Sequence, residues 1–173
     1  MLPSLTFVLG GAASGKSLVA ENIIYNSDLQ LVYVATSRIF DDEMQTKINT
    51  HIARRDARWT TISVEKDIPE VLVKLTNNQA VLIDCVTMWL TNIILDGDDV
   101  DLAQSNFLRA LTASSASLVV VSNEVGQGIV PDNALSRQFR EAQGRLNIAL
   151  AARADCVIHV VAGLSHVLKG SNQ

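Results

Sequence analysis

The sequence predicts an α/β fold with a mainly parallel central sheet flanked by helices, and three observations carry that prediction. Short apolar runs alternate along the chain with longer segments of helical spacing, the order expected of parallel strands joined by crossover helices. Hydrophobic residues make up 48% of the 173 positions, and strands covered on both faces absorb such an excess as continuous Val/Ile/Leu runs. The first apolar run leads into a glycine-rich segment and then a helical one, which is the context of a phosphate-binding loop.

Leu5–Leu9 reads as the first strand and Lys16–Asn26 as the helix behind it. Leu31–Thr36 is a second strand. Phe40–Arg55 is helical by spacing, with Asp41, Asp42 and Glu43 in a first turn where negative charge is favoured. Trp59–Val64 alternates weakly as a short strand. Ala80–Cys85 is a buried strand, followed by a helix through Ile94 and an acidic connection over Gly97–Asp101. Leu102–Ala113 is a modest helix, Leu118–Ser122 an apolar strand, and Asn123–Asn133 a loop rich in Gly, Asn and Pro. Leu135–Ala152 is a long helix with Leu135, Phe139, Leu146 and Leu150 roughly on one face. Cys156–Val161 is a strand, and Leu164–Leu168 returns after Ala162-Gly163 as an antiparallel C-terminal edge strand. No repeat, low-complexity block or linker divides residues 1–173, so a single domain is expected.

Composition narrows the function. A net charge of −4 and a pI near 5.3 argue against a nucleic-acid partner, which would require a basic patch or stripe. No apolar run approaches the roughly 20 residues of a bilayer span, so no membrane insertion is expected. Leu2–Ala13 is apolar and ends in small residues, but no Lys or Arg precedes Lys16, as a secretory leader would need. A cytoplasmic enzyme is the expectation. Cys85 and Cys156 both lie in apolar runs without metal-like spacing and read as small buried hydrophobes.

Gly10, Gly11, Ala12, Ala13, Ser14, Gly15, Lys16 and Ser17 fit G-x-x-x-x-G-K-[ST] between a strand and a helix. Glycines let the backbone close around phosphate oxygens, and the helix start adds free N–H donors and a favourable dipole. Lys16 is expected at the terminal phosphates and the Ser17 hydroxyl at Mg²⁺. Asp84, at the exit of the Val81-Leu82-Ile83 strand, is the candidate second metal ligand, because ligands of parallel sheets gather at carboxyl strand ends. A cap of the following helix is the other role open to it.

His51 stands out on the Phe40–Arg55 helix. At about 100° per residue it projects within about 20° of Met44, with Arg55 about 20° to the other side. A His–Arg pair turned toward the protein body fits either buried satisfaction or an anionic ligand. Imidazole is partly unprotonated at neutral pH and can act as a nucleophile, while guanidinium groups hold the phosphates it attacks. His159 and His166 lie in apolar C-terminal strands and fit structural or edge positions.

With those residues in order, the chain resembles the adenosylcobinamide kinase/adenosylcobinamide-phosphate guanylyltransferase family from Thr6 to Leu168. The likeness rests on residues 10–17, Tyr-Val-Ala-Thr-Ser at 33–37, and Asp41-Asp42-Glu43-Met44 with His51, Arg55 and Trp59. It continues through Asp84 to Asn92, Ser122 to Pro131, and Arg137, Phe139, Arg140, Gly144, Arg145, Asn147 and Ala162-Gly163.

The resemblance implies a P-loop NTPase fold and two reactions. ATP or GTP phosphorylates the aminopropanol hydroxyl of adenosylcobinamide. GTP then guanylylates a histidine, His51 by motif, and adenosylcobinamide phosphate displaces it to give adenosylcobinamide-GDP. The same resemblance adds Ala35, Thr36, Ser37, Ile52, Ala53, Arg54, Arg55 and Asp84 to the nucleotide site, makes Lys16 catalytic, and suggests a homotrimer. Glu124, at another strand end, fits a Mg²⁺ or acceptor contact and equally a loop-stabilising carboxylate.

Departures from the family pattern are Ala13 where Arg is frequent, Ser63 where Glu is frequent, and Thr50 where some members carry a second histidine. Two other readings remain: a kinase-only enzyme with a structural His51, and a nucleotide-dependent switch or assembly factor.

Overall fold

The computed structural model describes residues 2–38 and 55–171. Its strands are β1 (Leu5–Gly10), β2 (Gln30–Ala35), β3 (Trp59–Ser63), β4 (Gln79–Asp84), β5 (Ser117–Asn123), β6 (Cys156–Val161) and β7 (Leu164–Lys169). Its helices are α1 (Lys16–Tyr25), α2 (Ile68–Leu72), α3 (Val86–Leu95), α4 (Val100–Ala113) and α5 (Ala134–Arg153). The strands form one sheet in the order β3-β2-β4-β5-β1-β6-β7. Every neighbouring pair is parallel except β6–β7. The α/β class, the mainly parallel sheet flanked by helices and the antiparallel C-terminal edge match the sequence expectation.

Alternation along the strands divides the core into two layers. Phe7, Val32, Val34, Val81, Ile83, Leu118 and Val120 face α2, α3, α4 and α5. Val8, Leu31, Tyr33, Leu82, Val119, Val121 and Ile158 face α1, which buries Ala20 and Ile24 among them. Both faces of the inner strands are therefore covered, which is why they read as unbroken apolar runs.

Helix ends follow local chemistry. Asp99 caps α4 by accepting from the Leu102 N–H at 2.9 Å, and Asn133 caps α5 by accepting from the Ser136 N–H at 2.8 Å. The acidic connection thus ends at Asp99, two residues earlier than Gly97–Asp101 implies. Between β6 and β7, Ala162 (φ 52°) and Gly163 (φ 77°) both adopt left-handed conformations, as a two-residue hairpin turn requires.

Several details differ from the sequence reading. The five-residue helix α2 is not anticipated, because it is too short to display a helical period. Leu135 is 50% exposed in the first turn of α5, while Leu146 and Leu150 are fully buried; the apolar face meets the core only further along. Cys85 is half-buried just beyond β4, whereas Cys156 is buried as expected. His159 is half-buried and His166 exposed, opposite one another on the edge hairpin. The expected helix Phe40–Arg55 falls outside the described residues except Arg55, which is not helical. Among the described residues no helix is long and apolar enough to cross a membrane.

A fully buried amide ties α3 to the sheet. Asn92 Nδ2 donates to Thr36 O at 2.8 Å and to Glu65 O at 3.0 Å, and Trp89 Nε1 donates to Lys66 O at 2.8 Å. Asn92→Leu would leave two backbone carbonyls without these donors. It is expected to cost about 2–4 kcal/mol, read as a lower urea midpoint with an unchanged slope. An unchanged midpoint would refute that role for Asn92.

Candidate functional site

The carboxyl ends of the parallel strands fall along one rim, because the register pairs Ala35 with both Ser63 and Asp84, and Gly10 with both Asn123 and Val160. Loops leaving this rim carry most of the candidate residues. Residues 10–17 link β1 to α1, Ala35–Ser37 leave β2, Asp84 ends β4, and Glu124 follows β5.

The loop geometry explains its glycines. A side chain on Gly10 would meet Ser14 Oγ at 2.5 Å and Val160 O at 2.6 Å. Gly15 has φ 92°, a left-handed conformation costly to other residues. Ala13 is also left-handed at φ 54°, so the loop turns twice within three residues and lines up N–H groups into an anion nest. The β6–β7 turn braces it from outside, with Gly163 N–H donating to Ser14 O at 2.8 Å. Lys16 is largely buried, and its Nζ donates to Gly11 O at 3.0 Å. The amine is thereby held over the loop that would cradle the phosphates. Ser17 stands half-buried in the first turn of α1.

Neighbouring strand ends are stitched by single polar groups. Thr36 Oγ1 donates to Cys85 O at 2.7 Å and accepts from the Cys85 N–H at 3.1 Å, joining β2 to the exit of β4. Thr87 Oγ1, at the start of α3, accepts from the Asn123 N–H at 2.8 Å. The Glu124 N–H donates to Gly10 O at 3.0 Å. The Glu124 carboxylate accepts from the Gly126 N–H, and Arg140 donates to Gly126 O. These contacts favour the loop-stabilising role for Glu124.

Asp84 is half-buried and accepts from the Tyr33 hydroxyl at 3.3 Å. Burial, with the Asp84 carboxylate next, holds the Tyr33 phenol far above its usual range, so it remains a donor. Burial likewise pushes the Cys85 thiol up to about 11, with Asp84 adding to the effect and Lys16 opposing it. Arg55 lies over the Tyr33 ring, its Cζ 3.3 Å from the centroid.

Among the described residues no group of three or more His, Cys, Asp or Glu could hold a metal. The oxygen donors expected from the sequence are one hydroxyl, Ser17 at the start of α1, and one carboxylate, Asp84 at the end of β4. Hard oxygen donors in that small number suit Mg²⁺ held chiefly through nucleotide phosphates. A hollow of about 630 Å³ between α4 and α5, bordered by Arg109 and Arg153, includes none of these residues.

The structure thus brings residues 10–17, Ala35–Ser37, Asp84 and Glu124 to one rim. His51, Ile52, Ala53 and Arg54 lie outside the described residues. Sequence reasoning assigns no site role to Tyr33, Thr87 or Gly163. The only signal for them was their place in short motifs, a tyrosine within an aliphatic strand and a turn-forming Ala-Gly pair.

The model of the family described as cobinamide kinase / cobinamide phosphate guanyltransferase matches residues 6–168. The chain belongs to this family. Its relatives include the bifunctional adenosylcobalamin biosynthesis protein CobP of Pseudomonas aeruginosa, 39% identical, with the match covering 94% of this chain and 96% of that protein. The bifunctional adenosylcobalamin biosynthesis protein CobU of Escherichia coli K12 is 38% identical, covering 95% and 99%.

Solved structures show a likeness of fold alone. A type III secretion system ATPase of pathogenic bacteria aligns with a TM-score of 0.61 at 12% identity, covering 96% of this chain and 57% of that one. A protein of Pyrococcus horikoshii OT3 aligns with a TM-score of 0.57 at 12% identity, covering 98% and 87%.

At pH 8 the raised thiol of Cys85 should react with iodoacetamide roughly a hundredfold more slowly than an ordinary cysteine of pKa near 8.5. Peptide mass mapping over a labelling time course checks this. Labelling at the rate of a free thiol would mean that the surroundings of Cys85 do not raise its thiol.

Proposed function

We propose that this member of the cobinamide kinase/guanyltransferase family phosphorylates adenosylcobinamide and then guanylylates the product. The observation that carries the reading is that the phosphate loop, which Lys16 Nζ caps at Gly11 O, and the Asp84 end of β4 lie on one rim of the sheet. It is supported by a family match spanning residues 6–168.

In the first step the aminopropanol hydroxyl of adenosylcobinamide attacks the γ-phosphorus of ATP or GTP. The P–O bond to the nucleoside diphosphate breaks and the hydroxyl proton is released. In the second step an imidazole nitrogen of His51 attacks the α-phosphorus of GTP, and pyrophosphate leaves. A phosphate oxygen of adenosylcobinamide phosphate then displaces the histidine, giving adenosylcobinamide-GDP and freeing His51. A covalent intermediate splits one difficult displacement into two easier ones.

The roles of the residues follow from charge. Backbone N–H groups of Gly10–Gly15 and the start of α1 receive phosphate oxygens. Lys16 neutralises negative charge as it builds on the leaving phosphates. Ser17 and Asp84 would hold Mg²⁺, which supplies further neutralisation of phosphate charge when bound. Ala35, Thr36 and Ser37, with Ile52, Ala53, Arg54 and Arg55, complete the nucleotide site in this reading.

One domain spanning residues 1–173 carries both activities. The enzyme works in the cytoplasm, where its nucleotides are found, as a homotrimer. Ala13 and Ser63 alter charges at the edge of the site and leave Lys16, Ser17 and His51 in place.

Intact-protein mass after incubation with GTP and Mg²⁺ tests the covalent step. The wild-type chain should gain the mass of one GMP and His51→Ala should gain none. A wild-type chain that binds GTP without forming an adduct would reduce the activity to the kinase step and His51 to a supporting residue.

A further inference from the structure

Tyr33 is buried to 6% exposure in the layer between the sheet and α1, among Val8, Ile24, Leu31 and Leu82. Phenylalanine would fill that space without burying a hydroxyl, and a buried hydroxyl is costly unless it has a partner. The partner here is Asp84, whose Oδ2 accepts from the Tyr33 Oη at 3.3 Å. A carboxylate only accepts, so the direction of the bond is fixed. Holding one carboxylate oxygen restrains rotation of the group.

The face of the ring has a second partner. Arg55 Cζ lies 3.3 Å from the Tyr33 centroid, and Arg55 Nη1 donates to Thr61 Oγ1 at 3.3 Å. Thr61 is the residue that pairs with Tyr33 across β2–β3. These two contacts of the guanidinium fall on one row of the sheet. Trp59 packs edge-on against Tyr33, with centroids 6.4 Å apart and planes at 72°, which sets the tilt of the ring on which Arg55 rests. A second stack of the same kind follows three residues later, with Arg58 Cζ 3.8 Å from the Tyr25 centroid.

We propose that Tyr33 is a positioning residue that couples Asp84 to Arg55, so that the strand-end carboxylate and the guanidinium are presented together to one bound nucleotide. The inference rests on the nucleotide-site reading given above for both partners. It assigns separable duties to the two parts of the side chain. The hydroxyl orients Asp84 and so acts only where Mg²⁺ accompanies the nucleotide. The ring supports Arg55 and so acts on nucleotide phosphates with or without the metal.

GTP binding by isothermal titration calorimetry, with Mg²⁺ and in EDTA, separates these duties in the wild-type chain, Tyr33→Phe and Tyr33→Leu. Tyr33→Phe keeps the ring and should bind GTP roughly tenfold more weakly with Mg²⁺, as expected for losing a hydrogen bond to a charged group. Its binding in EDTA should stay within about twofold of wild type, since the ring remains as a cation–π partner. Tyr33→Leu should weaken binding in both conditions. If Tyr33→Leu does not fold, Tyr33→Phe decides alone. Wild-type affinity of Tyr33→Phe in both conditions, or an equal loss in both, would overturn the proposal.

The GMP-adduct mass, measured in parallel, tells the two ideas apart. No adduct on the wild-type chain alongside the metal-selective loss refutes guanylyl transfer and leaves the role of Tyr33 standing. An adduct on the wild-type chain with no metal-selective loss refutes only the role of Tyr33.

Discussion

The register of the parallel strands is the constraint on which the rest depends. Because Ala35 pairs with Asp84, Asp84 with Val121, and Gly10 with Asn123 and Val160, five strands run out along a common rim. A slip of one residue would turn Leu82 and Asp84 to the opposite face, away from Tyr33 and the start of α1. The apolar layers enforce the register from both sides, since Ile83 belongs to one core and Leu82 to the other. Polar groups then finish the rim only where backbone ladders run out: Thr36 at Cys85, Thr87 at Asn123, and Gly163 at Ser14.

That division explains what the sequence made legible. Strand and helix positions follow from local apolar runs and caps, so β1, β4, β5 and β6 emerge within a residue or two. The phosphate loop is legible because its chemistry is contiguous. Asp84 is legible because a carboxylate at the end of an apolar strand has few uses. The contacts of Tyr33 are not, since they require β2 to lie beside both β3 and β4. Chain order alone does not reveal that β5 is inserted between β4 and β1. Nor does it reveal that the β6–β7 turn closes on the phosphate loop. Leu135 misleads for a related reason: helical spacing shows which face is apolar, not where along the helix the core begins.

Polar groups inside the cores serve the same geometry. Ser122 donates to Asn147 Oδ1 at 2.6 Å, Gln143 Nε2 donates to Ser122 Oγ at 2.9 Å, and Asn147 Nδ2 donates to Asn123 O at 3.2 Å. This cluster fixes the end of β5 against α5, directly beside the strand that leads into the phosphate loop. Arg38 acts at the surface, where it pairs with Asp96 through both oxygens and with Glu65. Its hydrogen bonds hold the Asp96 carboxyl well below the usual carboxylate range. Exposed pairs stabilise little individually, so the chief effect here is geometric. The chain leaving β2 is held against the end of α3.

Two of the departures from the family pattern, Ala13 and Ser63, have different structural meanings. Ala13 is exposed in a left-handed turn of the phosphate loop. The backbone there is shaped by Gly10, Gly15 and the Gly163 contact, none of which involves a side chain at position 13. Alanine in place of arginine therefore removes a cation beside the loop without a cost to the loop's backbone. Ser63 is exposed at the end of β3, where its backbone pairs with Ala35. Electrostatically the two changes oppose one another, one deleting a positive charge and the other a negative one.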